Sequence, residues 1–270
     1  MKILRLISSV DLKHGGPIEG VNQLSAVHRG MGIEVEICSL DSPDAECVRK
    51  SQFRVHAIGP ALTKYGYSSR LVPWLRAHAD EYDAVIVQGL WQYIGFAAWR
   101  ALAGTTTPYY VFTHGMLDPW FKNTYPLKHL KKWLYWPWTE YWVLRDARRV
   151  IFTCEDEKIL ARESFWLYKV NEAVTSYGVS NPPANGDELA AKFLAQYPQL
   201  KDKRIALYLS RIHVKKGCDL LIQAFAKVAK QDESLHLVMA GPDQTGWVPK
   251  LQAQAEKLGI AHRITWPGML

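Results

Sequence analysis

The strongest chemical signals in the sequence are loops that set glycine beside cations or a histidine. DLKHGGPIEG, at residues 11–20, follows an apolar run and opens a helical pattern. Adjacent Gly15 and Gly16 allow backbone to approach a ligand closely, and amides at a helix start favour negative charge. A plain strand-to-helix turn fits the same residues. The spacing is not GxGxxG and no acidic residue stands in a clear ribose-binding position, which disfavours a nicotinamide cofactor. FTHG, at residues 112–115, places His114 and a glycine directly after a strand pattern. In open α/β sheets ligands bind at the carboxyl ends of strands, so His114 is a candidate for a cleft, with a satisfied structural histidine as the alternative. Asp118 can orient that histidine or cap the segment that follows. In LYLSRIHVKKGCDLLIQAF, at residues 207–225, a strand ends in Arg211, and Lys215, Lys216 and a glycine precede a helix. Cations at a helix start form an anion clamp that needs no metal. A merely solvated charge run is disfavoured, because the lysines lie at the turn rather than along a helix face. AGPD, at residues 240–243, repeats the pattern of glycine at a strand end through Gly241, with Asp243 close behind. Alone it is a weak signal.

Residues 120–149 interleave tryptophans and tyrosines with lysines and arginines. Rings beside cations suit a membrane interface or a sugar acceptor, with Trp133, Trp136, Lys131 and Lys132 as candidate contacts. A pair of helices covering a sheet with their aromatics inward fits equally, split by Pro137. Stacking rings and cations would also serve single-stranded nucleic acid, but no RNA-binding sheet motif is present, so no nucleic-acid partner is expected. The four cysteines lack metal-ligand or redox spacing, which points to reduced thiols, no metal site and a cytoplasmic protein. A net charge of +7 asks for an anionic partner without choosing among nucleic acid, acidic lipid and a sugar diphosphate.

The elements that must position these residues alternate. Buried strands are expected at residues 2–8, 35–40, 53–58, 84–88, 109–113 and 149–153, with helices between them, including one carrying Val21, Leu24, Val27, His28 and Met31 and another over 93–103. That alternation predicts a parallel sheet covered by helices. SNPPANGD, from residue 180, continues neither a helix nor a central strand, and divides the chain into domains 1–180 and 181–270. After it come a helix over 188–196, strands at 204–209, 235–240 and 262–266, and helices over 217–230 and 247–258. So small a sheet leaves an open edge and uncovered apolar surface.

With those motifs in place, the chain resembles the family 4, or group 1, glycosyltransferases of the GT-B fold, which have two Rossmann-like domains with parallel sheets. LYLSRIHVKKGCDLLIQAFAKV is similar to the opening of that family's second domain, and AGPD and LGIAHRITWPG follow in matching order. HGGPIEGVNQLSAVHRGMGIEVEI is similar to its first glycine loop, helix and second strand. SYGVSNPP resembles the family's linker, with Tyr177 where asparagine is usual.

The resemblance implies retaining, metal-independent transfer from a nucleotide-diphosphate sugar, such as a UDP- or GDP-hexose, without a cofactor. The second domain would bind the donor and the first a glycan or lipid-linked acceptor. Arg211 and Lys216 would hold the diphosphate, and Gly15 and Gly16 would let the first loop approach it. Gly241 and Asp243 would belong to the donor loop, and His114 would lie beside the transferred sugar as an orienting or stabilising group. The family continues with further βα units and a glutamate pair that this sequence lacks. The second domain is therefore read as incomplete, and little transferase activity is expected of the chain as it stands. Together with the anion clamp and the basic aromatic stretch, the resemblance points to a bacterial-type enzyme of polysaccharide or glycolipid assembly, working at the cytoplasmic face of an acidic membrane on a lipid-linked acceptor. A non-catalytic sugar-nucleotide-binding or regulatory remnant of the same fold is the alternative.

Overall fold

The structure is a computed structural model that describes residues 1–176, 178 and 181–270. Tyr177 and Ser180 lie outside the described residues. The chain divides into two compact units, Met1–Ser180 and Asn181–Leu270.

In unit 1 the strands are β1 (Lys2–Ile7), β2 (Glu34–Ser39), β3 (Arg54–Ala57), β4 (Ala84–Gln88), β5 (Tyr109–Phe112), β6 (Arg149–Phe152) and β7 (Glu172–Val174). They form one parallel sheet in the order β3-β2-β1-β4-β5-β6-β7, so the order reverses between β1 and β4. The helices are α1 (Gly16–Gly30), α2 (Glu46–Arg49), α3 (Leu71–His78), α4 (Tyr93–Leu102), α5 (Trp120–Thr124), α6 (Pro126–Tyr135), α7 (Glu140–Arg145) and α8 (Glu155–Ala161). Central strands such as KILRLI and AVIVQ bury both faces, as a parallel sheet sandwiched by helices requires. The core on one side of the sheet joins Leu4, Leu6, Val85 and Val111 to Ile94 and Ala97 of α4 and to Trp136.

The apolar face expected of α1 has two destinations. Ile18 and Val21 pack with Ile7 and Ile37 in a second core cluster, whereas Leu24 and Val27 line a cavity and Met31 is exposed. Pro137 ends α6 and is held in a short 3-10 turn, Trp136–Trp138, before α7 begins. Proline has no N–H to continue the ladder, which accounts for the split.

Unit 2 comprises α9 (Gly186–Gln196), β8 (Arg204–Leu209), α10 (Cys218–Ala229), β9 (Leu235–Ala240), α11 (Val248–Lys257) and β10 (Ile264–Gly268). Its parallel sheet has the order β10-β9-β8. The last strand starts later than residue 262 because Ala261–Arg263 closes a 3-10 turn first. Ile222, Phe225, Leu237, Met239, Leu251 and Ile264 pack between helices and sheet. On β8 the side chains alternate: Ala206 and Tyr208 join that core, and Ile205, Leu207 and Leu209 are exposed. One apolar row of the sheet is thus left uncovered, as the sequence expects.

Candidate active site

A cavity of about 960 Å³ in unit 1 opens at the carboxyl ends of β5 and β6 beside the start of α1. Gly16, Gly20, Gln23, Leu24 and Val27 form one wall, and His114, Gly115, Asp118, Thr153 and Glu157 contribute the other. The approach to α1 depends on glycine. Gly15 has φ +83°, which side-chain-bearing residues rarely adopt, and at both Gly15 and Gly16 the position a Cβ would occupy faces open space. Pro17 in the first turn pre-sets the helical φ, and Asp11 caps the preceding 3-10 turn by accepting from Lys13 N at 2.9 Å.

His114 lies in the left-handed region, φ +50°, followed by Gly115 at +73°. A non-glycine residue there stores about 1–3 kcal/mol of strain and persists only where its surroundings over-determine it. The imidazole Nε2 pairs with Gln88 Oε1 at 2.8 Å, at the end of β4, and the ring stacks against Phe112 with centroids 5.6 Å apart. Burial pushes its pKa down to about 4, against the opposing pull of the Glu157 charge. At neutral pH the ring is therefore uncharged and acts as a hydrogen-bonding group. Asp118 accepts from Trp120 N at 2.8 Å, a contact of the capping kind at the start of α5.

Sequence reasoning missed Glu157. It stands in the first turn of α8, where three successive acids read simply as complements to the helix dipole. One carboxylate oxygen accepts from Thr113 Oγ1 at 2.5 Å and Gly115 N at 2.7 Å. The other accepts from Thr153 N at 2.7 Å and Thr153 Oγ1 at 2.6 Å. Burial on its own would raise this carboxyl's pKa, but the hydrogen bonds outweigh it and hold the group below the usual carboxylate range.

In unit 2 the cations lie where the turn places them. Arg211 and Lys216 are exposed after β8, and Arg211 Nη1 donates to Gln244 Oε1 at 3.4 Å. Val214–Lys216 forms a 3-10 turn, and Gly217, φ +65°, leads into α10. The Tyr208 hydroxyl anchors the turn by donating to Arg211 O at 2.8 Å. Gly241 has no room for a side chain: a Cβ there would lie 1.9 Å from Ser210 O. Asp243 accepts from Trp247 N and Val248 N, both at 2.9 Å, and so closes the start of α11. Those backbone donors lower its pKa.

The basic aromatic stretch divides by residue. Trp136 is fully buried, its ring stacked 4.2 Å from Phe165 and its Nε1 donating to Leu167 O at 2.7 Å. That removes it from the expected contact surface: the side chain completes the core. Lys132 also turns inward, its ammonium 4.3 Å above the Trp91 ring, and burial lowers its pKa. The nearby Glu140 is buried and its pKa is raised to about 7 by desolvation, with Trp91 N donating to it at 2.7 Å. Lys131 and Trp133 are exposed, and Trp133 lies 6.0 Å from the exposed Trp166.

Among the described residues no helix is long and apolar enough to cross a membrane, and no group of His, Cys, Asp and Glu could hold a metal ion. Residues 15–178 match the family described as glycosyl transferase 4-like domain, and residues 191–270 match the glycosyl transferases of group 1. Compared by sequence with curated proteins, the chain finds no match. Among solved structures, HepE of Anabaena in complex with UDP is similar over all of this chain and 70% of its own, with a TM-score of 0.69 at 18% identity. The sucrose-phosphate synthase of Thermosynechococcus elongatus gives 0.69 at 17% identity, again over all of this chain and 70% of its own. A glycosyltransferase from Rickettsia africae gives 0.67 at 15% identity, over all of this chain and 68% of its own. Likeness at such identities is one of fold, and the two parallel-sheet units are those of the GT-B architecture. The chain belongs to the group 1 glycosyltransferases, with a glycosyl transferase 4-like domain as its first unit.

Proposed function

We propose that the protein transfers a hexose, with retention of anomeric configuration, from a nucleoside-diphosphate donor to a glycan or lipid-linked acceptor. The observation that carries this reading is the turn after β8, where exposed Arg211 and Lys216 stand before α10 while the Asp243 carboxylate is occupied by α11 amides. Cleavage of an anomeric bond leaves negative charge growing on the diphosphate. Cations and helix amides already in place stabilise that charge as it develops, with no metal in the step. In unit 1, uncharged His114 would orient a sugar hydroxyl in the cavity, and the open approach at Gly15 and Gly16 would admit an anionic group to the start of α1.

UDP is the first nucleotide to test, since HepE binds it. Calorimetric titration of the full chain is expected to show UDP binding that Arg211→Ala weakens about 10- to 100-fold, the scale of a charge-assisted hydrogen bond, with Arg211→Lys recovering part of it. Unchanged affinity in Arg211→Ala would overturn the assignment of this turn.

A peripheral membrane contact has its own support in α6, which buries none of its residues. Leu127 is 82% exposed, Leu130 and Leu134 are exposed along the same helix, and Trp138 is 78% exposed just beyond it. Residues 119–139 hold no acid, and Lys122, Lys128 and Lys131 are exposed among them. An apolar stripe with cations suits the interface of an anionic bilayer. The chain is expected to co-sediment with vesicles containing phosphatidylglycerol at low salt, and the double variant Leu127→Asp, Leu134→Asp to stay in the supernatant. Absence of vesicle binding by the unaltered chain removes this part of the reading.

A further inference from the structure

The two residues on either side of His114 both donate to one oxygen of Glu157: Thr113 through its hydroxyl and Gly115 through its amide. The other oxygen takes the amide and hydroxyl of Thr153, at the end of the neighbouring strand β6. His114 is thus bracketed by a single carboxylate that is itself tied to the adjacent strand end. Its left-handed backbone, and that of Gly115, is the kind of conformation that needs such bracketing. We infer that Glu157 is the positioning residue of the unit 1 site, fixing the strained loop that presents His114 to the sugar bound in the cavity. The inference rests on the proposed role of His114 in transfer. Glu157 acts through the loop, without a proton or bond exchanged at its own carboxylate.

A carboxylate is the side chain that suits this geometry. Four donors converge on two oxygens, and in Glu157→Gln one of those oxygens becomes an amide NH₂ that faces two donors whichever way it is turned. Either Gly115 N–H or Thr153 N–H then loses its acceptor, and the loop is released from one strand end. Two effects on the His114 ring follow, with opposite signs. Loss of the Glu157 charge alone lowers the imidazole pKa further. Release of the loop lets water reach the ring and raises the pKa towards the ordinary histidine value of about 6.5. The other titratable groups lining the cavity, Glu19, Asp118, Cys154 and Asp156, are the same in both proteins.

The experiment is a histidine-ring NMR titration of the full chain, with His114→Ala used to assign the signal. In the unaltered protein the resonance should stay still from pH 8 to about pH 5.5, consistent with a pKa near 4. In Glu157→Gln the midpoint is expected to rise by at least about one unit, which electrostatics alone cannot produce. A midpoint unchanged or lowered in a folded Glu157→Gln overturns the inference. Should that variant fail to fold, Thr113→Val, which removes one donor and keeps the Glu157 charge, takes its place: a midpoint unchanged or lowered in the folded Thr113→Val overturns the inference. Transfer assays at high protein concentration, where even weak activity of the chain is read, separate the two levels. If His114→Ala transfers sugar undiminished, the role of His114 fails, and with it the functional purpose assigned to Glu157. If His114 is required and the titration does not move, the positioning inference fails by itself.

Discussion

Alanine at position 241 is expected to leave unit 2 without a stable fold. Gly241 follows β9 directly with φ +144°, and a Cβ built there meets Ser210 O at 1.9 Å and Ser210 C at 2.7 Å. Both obstacles are backbone, so no side chain can swing aside. Nor can the strands part easily. Leu209 is in register with Ala240 across the β8–β9 ladder, and Gly241 N donates to Gly268 O at 2.7 Å on the β10 side. The residue is held between two neighbours with no slack in either direction. Clashes of this kind belong to the severe tail of single substitutions, about 4 kcal/mol or more, which is comparable to the whole stability of many small domains. Hydrogen exchange reads the outcome: amides of β9 should lose protection in Gly241→Ala while those of β4 in unit 1 keep theirs. Retained protection in β9 would refute the steric argument.

Trp136→Ala is expected to cost unit 1 about 3–5 kcal/mol, the range for deleting a large buried aromatic. The ring is fully buried, lies nearly parallel to Phe165 at an interplanar angle of 7°, and satisfies Leu167 O through Nε1. Trp136→Phe should fall between, since it keeps the stack but leaves that carbonyl without its donor, about 1–3 kcal/mol where the carbonyl stays dry. Trp138→Ala, two residues away and exposed, should shift stability by less than about 0.5 kcal/mol. Urea denaturation of the three variants checks the order, and a Trp138→Ala variant as damaged as Trp136→Ala would contradict it.

That contrast shows where reading the sequence succeeds and where it stops. Strands such as AVIVQ and LHLVMA declare themselves by composition, and the glycines and prolines around residue 180 mark a change of unit without reference to packing. The three-residue β7, with a glutamate at its start, carries too little pattern to be seen, and is a strand only because β6 supplies the ladder beside it. Trp133, Trp136 and Trp138 are alike in type, and Pro137 interrupts the helical period that would have told inward from outward. At the site, His114 was legible because glycine and histidine at a strand end form a local signal. Glu157 was not, because the two partners that tie it to His114, Thr113 and Gly115, are separated from it by the whole α5–α7 segment and meet it only when β5 lies beside β6. Asp243 reads in the sequence as a member of a loop motif, but its bonds to amides four and five residues ahead depend on the observed chain path.

The reversal of strand order between β1 and β4 also bears on how unit 1 assembles. β1, made before the other strands of this unit, ends as an inner strand paired on one side with β2 and on the other with β4, so its second edge waits for residues 84–87. Growth of the sheet then proceeds strand by strand to β7 at Glu172–Val174. Every closure is parallel and each spans a helical crossover, which places the unit among topologies whose folding is slow and whose half-built edges attract wrong partners. The nascent chain would spend that interval with β1 and then β4 as unpaired templates, so assembly of this unit is a stage at which a chaperone has an edge to hold.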